Sequence, residues 1–184
     1  MKDLKTLIKT PLTDRNMRQI FPFITKDKII EYSDLEHLKD IEDLLTHDKD
    51  YRIVLIEYEQ NSGHWILISR YGDTLELFNS YGKKHGKNDF VNDKELNKYL
   101  GQATLHLKRL LDLERADHKF NVIYNKKKMQ KESFVVNTCG HHVLVRLLTM
   151  LQGLDLEQYL RFMKISKDKY KLRDYDELVV TILY

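Results

Sequence analysis

Residues 51–79 read YRIVLIEYEQNSGHWILISRYGDTLELFN, and no other stretch narrows the possible folds so far. Three runs rich in β-branched and aromatic residues predict strands over 51–58, 64–71 and 74–79. The connections between them are Asn61-Ser62-Gly63 and Gly72-Asp73. Parallel neighbours need a crossover of a dozen or more residues, so links this short dictate antiparallel hairpins. Ile53-Val54-Leu55-Ile56 is an unbroken apolar run, which predicts a strand buried on both faces. The rest of the chain must therefore cover two sides of a sheet.

Helical patterns supply the cover. The stripe Leu35, Leu38, Ile41, Leu44 and Leu45 predicts a helix from Ser33, with Glu36 completing a capping box. A long helix is expected over about 93–115, a short strand over 119–124, and helices from Cys139 to Gly153 and from Leu154 or Asp155; the tail DELVVTILY reads as helix, with a strand as the alternative. Residues 1–32 hold both prolines, Pro11 and Pro22. They read as an arm with short helices, one of them capped by Thr13 or Asp14 and running to Ile20. The reading is α+β: a mixed, mainly antiparallel sheet flanked by helices, in one domain spanning 1–184 with a core over 51–150.

The chain of 184 residues has one cysteine, which excludes an internal disulfide and fits a reducing compartment. No apolar run approaches the length of a membrane span. Cys139 opens the predicted helix HHVLVRLLTMLQG through Gly140. The partial positive charge of a helix N-terminus favours thiolate, and a neighbouring histidinium is expected to lower the pKa further, to roughly 3.5–7.5. Gly140 is expected to let a substrate backbone approach the sulfur. Against this stands the ordinary role of a lone cysteine as a small buried hydrophobe.

His64 opens the second strand and Asn79 ends the third. A cysteine nucleophile needs a base within reach and a third group to fix the imidazole. Asn79 can do so by accepting from Nδ1–H, and it carries no charge. Each residue also has a commoner role, as an edge histidine and a turn former. Zinc ligation by Cys139, His141, His142 and His64 is the alternative chemistry. Adjacent helical histidines point about 100° apart, which argues against it.

His64-Trp65, LELFNSYG around Asn79 and NTCGHH around Cys139 resemble the adenovirus-type maturation proteases and the SUMO-specific proteases. They are most similar to the small maturation proteases of virophages, Polinton-type elements and large DNA viruses. The resemblance covers about 51–150. It implies an adenain-like fold in which the central helix carries Cys139 as nucleophile, with His64 as base and Asn79 orienting it. It also implies an oxyanion-hole glutamine and a tryptophan, here Trp65, lining the substrate cleft; a core role for Trp65 is the alternative. Gln130, nine positions before Cys139, lies farther from the cysteine than the family pattern places that glutamine, and Asn137 is the other candidate donor. The implied activity is a cysteine endopeptidase acting on viral capsid or scaffold precursors near small residues such as glycine. Removal of ubiquitin-like modifiers from host proteins is the alternative substrate class. The expected location is the virion and the host cytoplasm. No cofactor is required, although an activating peptide or DNA fits the resemblance.

Net charge is +3, too small to imply nucleic-acid binding. Lysines cluster locally, however, at Lys83, Lys84 and Lys87 and at Lys126, Lys127, Lys128 and Lys131. Solvated loops are the ordinary reading. DNA contact through Lys83, Lys84, Lys126, Lys127 and Lys128 is the functional one.

Overall fold

A computed structural model describes residues 3–60, 62–82, 94–117, 119–133 and 135–184. Among them the sheet has five strands in chain order: β1 (Ile29–Glu31), β2 (Tyr51–Glu59), β3 (Ser62–Tyr71), β4 (Thr74–Phe78) and β5 (Asn121–Tyr124). The three long strands form the predicted antiparallel meander, and β1 and β5 pair parallel to its two edges. The sheet is therefore mixed.

Alternation along the strands divides the core in two. Ile53, Leu55, Trp65, Leu67 and Phe78 face one side, against α5 (Cys139–Leu151), α6 (Leu156–Lys169) and α7 (Tyr175–Leu183). Val54, Ile56, Ile66, Ile68, Leu75 and Leu77 face the other, against α4 (His106–Asp117) and two 3₁₀ turns at Tyr32–His37 and Ile41–Asp43. Burial of β2 and β3 on both faces is what the apolar run requires. The arm forms α1 (Leu4–Lys9) and α2 (Asp14–Ile20), the latter capped by Thr13 in a box with Asn16. Among the described residues no helix is long and apolar enough to cross a membrane.

Two predicted helices are broken. The stripe from Ser33 to Leu45 forms the two 3₁₀ turns rather than one α-helix. Asp40 restarts the chain there, accepting the N–H groups of Glu42 and Asp43. Local carboxylate–backbone bonds of this kind compete with helix continuation, while Leu35, Ile41, Leu44 and Leu45 remain buried. The helix expected over 93–115 is α3 (Lys94–Tyr99) followed by α4. Gly101 adopts φ +67°, with its N–H on Lys98 O and that of Gln102 on Asn97 O, the bonding of a Schellman stop. Gln102 then exchanges two hydrogen bonds of 2.8 Å with the backbone of Glu57, satisfying β2 where its pairing with β3 shifts register.

Arg146 of α5 and Glu76 of β4 are fully buried and join through two parallel bonds of 2.7 and 2.6 Å. Tyr71 donates to Glu76 at 2.6 Å, and Arg146 also donates to Leu154 O at 3.0 Å. Removing one partner leaves an uncompensated buried charge, at a cost of about 3–5 kcal/mol. Arg146→Met is expected to lower stability by that amount in urea unfolding, and Arg146→Met with Glu76→Leu to recover most of it. A double variant no more stable than the single one would contradict this account.

Candidate active site

The site forms where β4 ends before β3 does. The last β4 pair is Leu67–Phe78, so β3 residues 62–66 have no β4 neighbour. His64 and Trp65 lie in that stretch. Asn79 follows β4 directly, and the start of α5 fills the gap.

Asn79 is buried. Its Oδ1 accepts the backbone N–H of Tyr81 at 3.0 Å and lies 2.9 Å from His64 Nε2. A backbone N–H can only donate, so the atom facing it is the amide oxygen, and the same oxygen must accept from Nε2–H. Neutral His64 is thereby the Nε2-protonated tautomer, with its basic lone pair on Nδ1. The pairing expected from the sequence, Nδ1–H to asparagine, is reversed. Antiparallel register sets the ring's position beyond the end of β4, and the ring presents Nε2 to the residue that follows that strand.

Tyr81, which the sequence reading passed over, stacks on the His64 ring at 4.5 Å between centroids and 17° between planes. Burial, then the nearby Cys139, Glu132 and Asp176, push its hydroxyl pKa up to about 12, so it stays neutral. It covers the imidazole that Asn79 orients. The signal available in the sequence was the aromatic two places after Asn79, a position that a tight turn returns toward the strand end: Gly82 N–H bonds Asn79 O at 2.8 Å.

Cys139 is the first residue of α5 and is buried. Burial pushes its thiol pKa up, against the opposing pull of the N–H groups of Trp65, Gly140 and Cys139. The lowering expected from the helix terminus is outweighed by desolvation, which disfavours the charged form. The contact with Trp65 N–H places the sulfur beside the residue that follows His64.

Gly140 serves a different purpose from the one expected. A Cβ there meets Met17 Cε at 2.8 Å, Leu12 Cβ at 3.0 Å and Trp65 Cδ1 at 3.3 Å. The glycine admits the arm. Trp65 Nε1 donates to Leu12 O at 2.9 Å, so the indole is both core and anchor. It also borders a cleft of about 580 Å³ between the arm, β1 and the β2–β3 hairpin, with Leu12, Thr13, Glu31, Leu55 and Gly63 on its walls.

Gln130 is buried next to Asn79's neighbour. Ser80 Oγ donates to its Oε1 at 2.7 Å, its backbone N–H reaches Ser80 O at 3.0 Å, and its Nε2 lies 3.3 Å from Val136 O. The amide is thus held with its donor end toward the segment entering α5. Asn137 instead gives Nδ2 to Lys9 O at 2.8 Å and its backbone N–H to Ile8 O at 2.9 Å, which ties it to α1.

The zinc constellation does not converge. His142 Nε2 lies 3.1 Å from Asp176 Oδ1. His141 is buried with no hydrogen bond to either ring nitrogen among the described residues. Burial, and then the neighbouring His142, hold its pKa down to about 4. Among the described residues no group of three or more His, Cys, Asp or Glu side chains is placed to hold a metal ion. Lys83, Lys84 and Lys87 lie outside the described residues. Of the second cluster, Lys127 donates to Tyr175 Oη, Lys128 to Glu132 and Lys131 to Asp174, and Lys126 is exposed. Two of those four lysines, Lys128 and Lys131, are thus paired with carboxylates.

With the thiol pKa raised, alkylation of Cys139 by iodoacetamide is expected to be slow near pH 6 and to rise through the alkaline range. A rate already at its plateau at pH 6 would show a preformed thiolate–imidazolium pair instead.

No protein-family model matches the chain. Two structures of the ASFV pS273R protease superpose with TM-scores of 0.45 and 0.41 at 13% identity. They cover 82% and 71% of this chain, which spans only 62% and 51% of theirs. TM-scores below 0.5 at that identity do not establish a shared fold. Uncharacterized protein V9 of Sputnik virophage is 30% identical over 190 residues, covering 99% of both chains. With that identity sustained from end to end, the protein belongs to the family of the Sputnik virophage V9 protein.

Proposed function

We propose that the protein is a cysteine endopeptidase that processes capsid or scaffold precursors of a virus-like element. The observation that supports the chemistry is the His64 ring, fixed by Asn79 and stacked on Tyr81, next in sequence to Trp65, whose N–H stabilises the Cys139 thiolate. The family tie to a virophage protein supports the viral setting.

In this reading the Cys139 sulfur attacks a peptide carbonyl carbon as its proton passes to His64 Nδ1. Imidazolium then forms with Nε2–H already held by Asn79, so the ring need not turn. The resulting oxyanion is met by the N–H of Cys139 and by Gln130 Nε2, fixed donors in a site from which water is largely excluded. His64 returns the proton to the leaving amine. Water, deprotonated by the same nitrogen, hydrolyses the thioester and releases the acid. A neutral asparagine suffices because the proton and the negative charge separate only during attack. The narrow approach between Trp65 and the arm favours glycine or another small residue before the scissile bond.

Cys139→Ala is expected to abolish cleavage of a glycine-rich peptide library read by mass spectrometry, with circular dichroism unchanged. His64→Ala should come close to it. Asn79→Asp should retain activity and Asn79→Leu should lose more. Gln130→Ala should lower kcat by roughly 10²–10³-fold, the scale for one oxyanion donor. Full turnover by the Cys139→Ala protein would end the reading, and an Asn79→Leu defect exceeding that of His64→Ala would reverse the roles of base and orienting group.

A further inference from the structure

A threonine before a helix ordinarily caps it. Thr138 precedes α5, yet its side chain makes no capping bond. Its hydroxyl donates instead to Asp176 Oδ1, the carboxylate of α7. Asp176 is 1% exposed and collects two further groups: His142 Nε2 at 3.1 Å, also on Oδ1, and the backbone N–H of Lys131 at 3.1 Å on Oδ2. One buried carboxylate thus binds the residue before Cys139, the residue three positions after Cys139, and the residue after Gln130.

A capping hydroxyl accepts from the second or third helical N–H, here those of Gly140 and His141. The Gly140 N–H is one of the groups aimed at the sulfur. A capped α5 would withdraw it or its neighbour from the site. We infer that Asp176 is a positioning residue for the proposed reaction: by holding the Thr138 hydroxyl it keeps the helix uncapped, so that the backbone donors beside Cys139 stay turned to the developing oxyanion. Through Lys131 N–H the same carboxylate fixes the loop that carries Gln130. The inference rests on the peptidase reading, and it assigns a role that no motif near Cys139 discloses.

Two thiol probes separate this role from a purely structural one. Iodoacetamide alkylates sulfur by displacement and generates no oxyanion. Acetylglycyl-glycinal adds the sulfur to its aldehyde carbon: the S–C bond forms as the S–H bond breaks and its proton passes to His64 Nδ1, the carbonyl π pair moves to oxygen, and that oxygen occupies the oxyanion site. Asp176→Ala is expected to weaken aldehyde binding by roughly 10²-fold, the scale for one lost donor, and to leave the alkylation rate near that of wild type. Thr138→Ala, which has no hydroxyl to cap with, should bind the aldehyde like wild type. Thr138→Ala combined with Asp176→Ala should bind the aldehyde more tightly than Asp176→Ala alone, short of wild type by the share lost with the Lys131 contact.

Equal losses with both probes in Asp176→Ala, or no loss with either, would overturn the inference. So would weakened aldehyde binding in Thr138→Ala, a result that decides the matter even where Asp176→Ala does not fold. Wild-type protein that neither cleaves the peptide library nor binds the aldehyde would instead remove the peptidase reading, and this inference with it.

Discussion

The buried Arg146–Glu76 pair sets the relation between the two elements that carry the candidate site. Seven residues separate Cys139 from Arg146, about 10.5 Å along a helix and close to two full turns, so both side chains lie on one face. Three residues separate Glu76 from Asn79, about 10 Å along a strand. The ion pair therefore clamps α5 to β4 at nearly equal distances from Cys139 and from Asn79. Buried pairs add little net stability relative to apolar residues of the same size. What two parallel bonds between planar groups do add is register, because sliding the helix along the strand breaks both. Tyr71 and the Leu154 carbonyl take up remaining hydrogen-bonding capacity on each side.

Within that frame the proposed chemistry would start from a neutral thiol. Desolvation keeps the thiol protonated, and Asn79 adds no charge to the imidazole. A preformed ion pair would gain from an aspartate in that position. A thiol that gives up its proton during attack needs a base with its lone pair already aimed, and the Tyr81 N–H bond to Asn79 Oδ1 provides this by fixing the amide and, through it, the tautomer. The positive field of the helix terminus is then felt most strongly by the oxyanion, which appears only as the reaction proceeds.

Much of this was legible in the sequence, and the parts that were not share a cause. The meander over 51–79, the helix at Cys139 and the capped α6 and α7 follow from local periodicity and local caps, and the structure has them within a few residues. The stripe over 33–45 shows the right apolar positions but not its backbone, because the competition between Asp40 and helix continuation is decided by tertiary packing. His64, Asn79 and Cys139 were visible as residue types at strand and helix ends. The ring nitrogen that Asn79 binds was not, since it depends on how far β3 outruns β4. Asp176 left no local trace: it sits 38 positions from Thr138 in a segment that reads only as an amphipathic tail.

The N-terminal arm completes the argument about burial. Leu12 and Met17 pack into the space left by the absent side chain of Gly140, and Leu12 O takes the Trp65 indole N–H. The arm thus closes over the first turn of α5, and the desolvation that holds the Cys139 thiol neutral follows in part from that closure. The same segment forms one wall of the cleft bordered by Trp65. Burial of the thiol and one wall of that cleft therefore share a contact, between a glycine after the cysteine and residues more than 120 positions earlier in the chain. A larger residue at 140 would displace the arm from this contact and loosen the burial of the sulfur, so the protonation of the Cys139 thiol depends on a side chain that is absent.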